Sequence, residues 1–283
     1  MNKATDCYRL ANGVEIPCIG FGTWQTPDGD VAVASVKAAL EAGYRHIDTA
    51  QVYGNEESVG QGIREGGVPR KDLFITTKVW NNCHTYDDTL RAFDESTKKL
   101  GIETVDLYLI HWPNPIQFRS CWEQANADTW RAMEKLYRDG RARAIGVSNF
   151  LPHHLDALAK TAEVAPMVNQ IRLCPGETMD ETVNYCRERG ILLEAYSPLG
   201  TGKIFSLPEV QQMAEKYHRS VAQVCIRWSL QRGYLPLPKS VTPSRIKENL
   251  EVFDFELSPE DVQILAEIDA CEGPGWDPDN INF

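Results

Sequence analysis

Polar residues close the apolar runs of this chain in a pattern that apolar packing does not require. Asp48, Lys78, His111, Ser148, Tyr196 and Lys239 each stand at the exit of a run, and Gln170 sits inside another, near its end. One or two such groups would be satisfied structural polars; seven converging on one rim describe a site. Asp48 and Lys78 close successive runs, which lets a carboxylate and an ammonium pair. Tyr53 follows Asp48 by five residues, in the loop leading to a helix that begins near Asn55-Glu56. A phenol with a pKa of about 10 is a poor acid at neutral pH. A neighbouring ammonium favours the phenolate and is expected to lower that value towards the working range. Lys78, once buried, keeps its charge only beside a counter-ion, the part Asp48 fills. His111, at the end of the next run, reaches the same point and suits orienting or polarising a carbonyl oxygen. Proton donor, tuning cation, counter-ion and orienting ring thus come from three successive units.

The elements that carry these groups alternate regularly. Tyr8-Arg-Leu10 and Val14-Glu-Ile16 flank Asn12-Gly13, a strong hairpin signal. Eight short apolar runs follow: 19–22, 46–48, 74–78, 105–111, 142–148, 167–171, 192–196 and 235–238. Between them lie amphipathic stretches such as 31–42, 89–100, 129–137 and 181–189, with apolar residues at i, i+3 and i+4. Gly43, Gly101, Gly140 and Gly190 stand where helix C-termini fall. Eight strand–helix units predict an α/β chain folded as a closed (β/α)8 TIM barrel with an N-terminal hairpin, whose mouth lies at the strand C-termini. Two further helices are expected at 221–231 and 259–270, with a tail from Cys271 to Phe283. No linker or repeat divides residues 1–283, so one domain is expected, a length that suits a barrel of about 250 residues.

Composition excludes several classes. A net charge of −11 argues against general nucleic-acid binding. Met1 to Leu10 lacks a signal-peptide core and no stretch reaches the roughly 20 apolar residues of a membrane span, so a cytoplasmic protein is expected. The eight cysteines are scattered without a C-x-x-C pair, as reduced thiols would be. Gly20-Phe-Gly22 lacks the third glycine of a dinucleotide-binding fingerprint, and Gly202-Lys203 lacks the upstream glycine of a P-loop. His46-x-Asp48 has the alternation of a metal-ligand pair in a hydrolase barrel. No second such pair exists, and His84, His153, His154 and His218 fall in loops or helices. His46 therefore reads as a core histidine and no metal is expected.

One local concentration of positive charge stands out in this acidic chain. The segment 238–249 places Lys239, Ser240, Thr242 and Arg245 around a helix start. Helix N-termini and arginine forks both suit a phosphate dianion. Read blandly, the same residues are only a solvated helix start. Likewise Ser148-Asn149 reads also as a cap for the helix after Pro152, and Tyr196 as an ordinary buried aromatic. Trp24, Trp80 and Trp112 each follow a strand end, and together suggest an apolar cup for the non-reacting part of a substrate. The loop Pro113–Asp128, with Phe118 and Trp122, and the tail around Trp276 are candidates for covering it.

The blocks GYRHIDTAQVYGNE (43–56), TKVW (77–80) and IHWP (110–113) resemble the signature blocks of the aldo-keto reductases, and the resemblance spans essentially the whole chain. Diketogluconate reductase-like and prostaglandin F synthase-like members are the nearest in kind. The resemblance implies that Asp48, Tyr53, Lys78 and His111 form the catalytic tetrad. The implied reaction is hydride transfer from NADPH to a carbonyl carbon while Tyr53 protonates its oxygen. It further implies that Ser148, Asn149 and Gln170 bind the nicotinamide carboxamide, that Tyr196 stacks on the ring, and that the backbone near Ser197 and Leu199 approaches the pyrophosphate. Lys239, Ser240 and Arg245 are then expected on the 2′-phosphate and Glu248 and Asn249 at the adenine, with Thr242 also expected among the cofactor-binding residues. A small-molecule carbonyl substrate and a monomeric state follow from the same resemblance. Cys174, in IRLCP (171–175), departs from the pattern, since many members carry histidine there; details of the sixth loop are therefore not carried over. Two alternatives stand beside the reductase. Some members of this fold family serve as cofactor-binding channel subunits, which the intact tetrad and the lack of a docking segment disfavour. A metal-dependent hydrolase barrel is the other.

Overall fold

A computed structural model describes residues 1–269 and 277–283. Strands β1 (Cys7–Arg9) and β2 (Glu15–Pro17) pair antiparallel with Tyr8 opposite Ile16. The Leu10 N–H donates to the Val14 carbonyl, so the loop holds three residues, ending at Gly13 with φ 85°. Gly13 supplies the left-handed residue that such a loop needs. The Tyr8 hydroxyl donates to the carbonyl of Tyr234, at the N-terminal end of the last strand, which anchors the hairpin there.

The eight barrel strands are β3 (Phe21–Gly22), β4 (His46–Asp48), β5 (Phe74–Val79), β6 (Val105–Ile110), β7 (Ala142–Ser148), β8 (Val168–Arg172), β9 (Leu192–Tyr196) and β10 (Leu235–Leu237). They run parallel in chain order. The ring closes where the N–H groups of Gly20 and Gly22 donate to the carbonyls of Pro236 and Pro238, both at 3.0 Å. Gly20 is required there, because a Cβ would sit 2.6 Å from both His46 and Leu237. Every residue of β5 and β6 is buried, as expected of strands covered on both faces.

Helices α1 (Asp30–Ala42), α2 (Glu56–Glu65), α3 (Tyr86–Leu100), α4 (Trp122–Arg138), α5 (Pro152–Ala159) and α6 (Asp180–Glu188) follow the first six barrel strands in turn. Gly43 and Gly101 end α1 and α3 in the left-handed conformation. Two helices lie between β9 and β10: α7 (Pro208–Tyr217) and the expected α8 (Val221–Gln231). The chain ends its described helices with α9 (Pro243–Glu248) and α10 (Pro259–Glu267). α10 begins at the Ser258 cap and stops at Glu267, short of the expected end at 270, because Ile268 turns extended. The sequence reading lacked α7, although Val210, Met213 and Ala214 bury one face at helical spacing. Cys271 and Trp276 lie outside the described residues. Among the described cysteines, Cys186 and Cys225 are buried in α6 and α8, in the apolar helical positions expected of them. Among the described residues, no helix is long and apolar enough to cross a membrane.

Candidate active site

Lys78, fully buried near the end of β5, is the hub of the barrel mouth. Its ammonium donates to both carboxylate oxygens of Asp48 at 2.7 and 2.9 Å and to the Thr49 carbonyl at 2.9 Å, and it reaches the Tyr53 hydroxyl at 3.5 Å. Tyr53 ends a single 3-10 turn after β4. The loop around it is fixed by Asn55, which is fully buried. Asn55 donates to the carbonyls of Thr23 and Thr26, both at 3.0 Å, and accepts from the Thr49 hydroxyl at 3.1 Å. A loop otherwise free to turn is thereby tied to the strand end beside it.

Burial works against the Lys78 ammonium, but Asp48 and Tyr53 overcome it and hold its pKa above the usual lysine value. The Tyr53 phenol is raised above its ordinary value, and here the structure corrects the sequence expectation. Lys78 does pull it down, yet burial pushes it up more strongly and Asp48 adds to the push. The phenol consequently keeps its proton throughout the neutral range, the state a proton donor must hold.

His111 follows β6, with its ring edge-on to Tyr53 at 5.8 Å and to Trp80 at 5.1 Å. Burial, and then the Lys78 charge, hold its pKa well below the usual histidine range, so the ring is neutral. Phe283 stacks on Trp80 at 5.8 Å and meets Trp112 edge-on at 5.5 Å. Together with Trp24 and Val52 these rings form an uncharged cup above Tyr53 and His111.

The cup opens into a cavity of ≈ 980 Å³, at the upper end of the roughly 300–1,000 Å³ of small-molecule sites. Asp48, Tyr53, His111, Ser148, Asn149, Gln170 and Tyr196 line its inner part; Lys78 stands behind Asp48. Ser148 does not cap α5, whose cap position is Leu151. Instead its hydroxyl donates to the Gln170 carbonyl at 2.8 Å, and Asn149, at φ 63°, donates to the His111 carbonyl at 3.0 Å. The Tyr196 hydroxyl donates to the Asn149 side-chain oxygen at 2.8 Å, so these residues hold one another at the rim.

The outer part is lined by Ser197, Leu199, Lys239, Ser240, Arg245, Glu248 and Asn249. Lys239 donates to the Gln25 carbonyl at 3.1 Å. Arg245 is exposed and forms no ion pair among the described residues. Thr242 is not brought to the cavity; it stands at the cap position of α9, and its N–H donates to the Ser240 hydroxyl. Amides and hydroxyls at one end, with cations and hydroxyls at the other, match the polar groups of a phosphorylated nicotinamide dinucleotide. Cys174 is buried beside Glu177, away from the lining, so this departure from the family pattern leaves the cavity intact.

Sequence reasoning did not find Val52, Phe205 or Phe283, which also line the cavity. Isolated apolar residues in loops carry no signal of what they cover. Conversely, Phe118 stacks on His84 and Trp122 packs against His154, so neither reaches the cavity. His46 is a core histidine, sharing a hydrogen bond with the Thr76 hydroxyl at 2.9 Å. His153, His154 and Asp279 approach one another as a possible ligand trio. Since His154 Nδ1 accepts from the Leu151 N–H, its Nε2 carries the proton it gives to Asp279 at 2.8 Å. That arrangement is a clasp holding residues 277–283 to α5, in which both ring nitrogens of His154 are already committed.

The fold and this site together define an aldo-keto reductase. The sequence pattern of the aldo/keto reductase family matches residues 18–270, and the chain belongs to that family. It is 49% identical over 278 residues to a glyoxal reductase of Bacillus subtilis (strain 168), covering 98% of each chain. It is similar to a crystal structure of an aldo/keto reductase from Brucella melitensis, with TM-score 0.89 and 45% identity over 95% of this chain and 100% of that one. It is also similar to a Gox0644 mutant crystallised in complex with NADPH, with TM-score 0.91 and 39% identity over 99% of this chain and 100% of that one. The protein is an aldo/keto reductase, an oxidoreductase that reduces aldehydes and ketones to alcohols.

Proposed function

We propose that Tyr53 is the general acid of this reduction and that its substrates are uncharged carbonyl compounds with small or apolar flanks. The observation that carries the first part is the Lys78 ammonium, clamped by Asp48 and 3.5 Å from the Tyr53 hydroxyl at the bottom of the cavity. Bound NADPH supplies the hydride to the carbonyl carbon. Tyr53 gives its proton to the carbonyl oxygen, and the adjacent ammonium stabilises the phenolate left behind. Lys78 neither gains nor loses a proton in this step, since Asp48 keeps it charged. Neutral His111 orients the carbonyl oxygen as a hydrogen-bond donor. Ser148, Asn149 and Gln170 hold the carboxamide, Tyr196 stacks on the ring, and the backbone near Ser197 and Leu199 serves the pyrophosphate.

Lys239, Ser240 and Arg245 take the 2′-phosphate, with Glu248 and Asn249 at the adenine. Arg245→Ala is then expected to weaken NADPH binding by about 10- to 100-fold, the worth of a charge-assisted contact. NADH binding should change little. Fluorescence titration with both cofactors reads the difference, and an equal loss for the two would remove Arg245 from the phosphate site.

The substrate class follows from the cup. The side chains of Trp24, Val52, Trp80, Trp112 and Phe283 bring no charge, and residues 270–276 contain no lysine or arginine in their sequence. A carboxylate entering there would lose its water without gaining a cation. The glyoxal reductase relative is named for an uncharged dicarbonyl, which fits. We therefore expect kcat/KM for 4-nitrobenzaldehyde or methylglyoxal to exceed that for 4-carboxybenzaldehyde by at least about tenfold. A preference for the carboxylate would reject this substrate class while leaving the reaction standing.

We further read the chain as a single-domain cytoplasmic monomer that binds no nucleic acid. The continuous barrel supports the single domain, and the net charge of −11 opposes binding to a phosphate backbone.

A further inference from the structure

Beneath the cavity floor lies a carboxyl group that none of the roles above uses. Glu194 is the middle residue of β9, fully buried, and in register with Gln170 on β8. Strand alternation turns it to the same side as Tyr196, two residues on. Its Oε2 accepts from Nε2 of Gln170 at 2.8 Å, and the same Nε2 donates to Oδ2 of Asp48 at 2.9 Å. Both hydrogens of the Gln170 amide are therefore committed below the floor. The carbonyl oxygen is the group left to face the cavity that Gln170 lines.

Among the described residues, the second oxygen of Glu194, Oε1, has no hydrogen-bond partner. The charged and titratable groups around it are Asp48 and His46 from β4 and Lys78 from β5, while β10 sets Leu235 opposite. His46 Nε2 lies 3.9 Å away. Burial, and then Lys78, hold that imidazole neutral, with its pKa pushed down to about 3. Lys78 is already committed to Asp48. An ionised Glu194 is therefore a second negative charge with no cation of its own. Burial first, and Asp48 next, push its carboxyl up to about 8.

We propose that Glu194 is a positioning residue of the nicotinamide end: it fixes the Gln170 amide with its carbonyl towards the cofactor, and its proton sets the charge beneath that end of the cavity. The proposal rests on Gln170 being the carboxamide partner. Below about pH 8 the carboxyl keeps its proton and the floor holds only the balanced Asp48–Lys78 pair. Above it, an extra negative charge favours the oxidised nicotinamide ring, which is cationic, over the neutral reduced ring. Tyr53 and Lys78 are shifted up and His111 well down, so none of these three titrates in that window. The adenine end and the 2′-phosphate are common to both cofactor forms, and their titration cancels in the ratio of the two affinities.

The test is titration of the whole protein with NADP⁺ and NADPH, read by tryptophan fluorescence, between about pH 6.5 and about pH 9.5. In wild type the ratio Kd(NADP⁺)/Kd(NADPH) is expected to fall by roughly three- to tenfold as pH rises, the effect of one charge acting through protein interior. Glu194→Gln keeps an acceptor for Gln170 and never charges, so its ratio should stay at the low-pH wild-type value. Glu194→Leu removes the acceptor and is expected to weaken both forms by about tenfold at every pH. A pH-independent ratio in wild type that binds NADPH, or a ratio in Glu194→Gln that follows wild type, would overturn the proposal. Failure of wild type to bind either cofactor would instead overturn the nicotinamide assignment of the cavity, and this proposal with it.

Discussion

Tyr53→Phe is expected to lower kcat for aldehyde reduction by at least about 100-fold, the smaller end of what a positioned general acid contributes. NADPH affinity should hold within about twofold, because the carboxamide and phosphate groups are untouched. The substitution removes one oxygen from a part-buried ring and leaves the Lys78–Asp48 pair complete, so the fold has no reason to suffer. The pH profile supplies a second readout. The Tyr53 phenol and the Lys78 ammonium are both shifted upward. Each stays protonated across the neutral range, and the contribution of each to kcat should be flat there and fall only on the alkaline side. Steady-state rates with one neutral aldehyde, for wild type and variant across pH, check both points; equal kcat in the two proteins would reject Tyr53 as the donor.

Lys78→Met is expected to have the second large effect, on rate and stability together. Without the ammonium the phenolate left after proton transfer has no cation beside it, and a loss of at least about 100-fold in kcat follows. Unlike Tyr53→Phe, this change also strips a buried carboxylate of its partner. Asp48 is 3% exposed, and an unpaired charge of that kind costs about 3–5 kcal/mol. The sign with pH separates this cost from a simple cavity. In wild type, the raised Lys78 pKa contributes stability that is fully present below the ordinary lysine value and is lost as pH climbs through the folded value. The variant lacks this contribution, so the gap in urea midpoints between wild type and variant should be full at neutral pH and narrow as pH climbs on the alkaline side. A constant offset would mean that only packing was lost.

Much of this was legible in the sequence because the barrel repeats its own signals. Buried strands appear as short apolar runs, and the polar residues closing them stand out by contrast; Asp48, Lys78, His111 and Ser148 stand out in that way, and Gln170 stands one residue short of its run's end. Glu194 does not, since a single glutamate in LLEAY (192–196) does not stand at the exit of its run. Its distance of two from Tyr196 was the available signal, once strand parity is applied. α7 was hidden by a short, weakly apolar face. Thr242 belonged to the right segment but to the cap of α9. The direction of the Tyr53 shift was misjudged for a general reason: a neighbouring charge is visible in a sequence, while the depth of burial that outweighs it is set by the packing of the other strands. Phe283 illustrates the same limit from the opposite side. Its contacts with Trp80 and Trp112 depend on the Asp279 clasp, which joins residues 125 and 126 positions apart.

The most direct test is a crystal structure of the wild-type protein with NADP⁺ and an unreactive carbonyl ligand. The expected result places the Tyr53 hydroxyl within about 3.2 Å of both the Lys78 ammonium and the ligand oxygen, with that oxygen also in reach of His111. A ligand oxygen held by His111 or water, with the Tyr53 hydroxyl more than about 4 Å from it and from Lys78, would contradict the role of Tyr53.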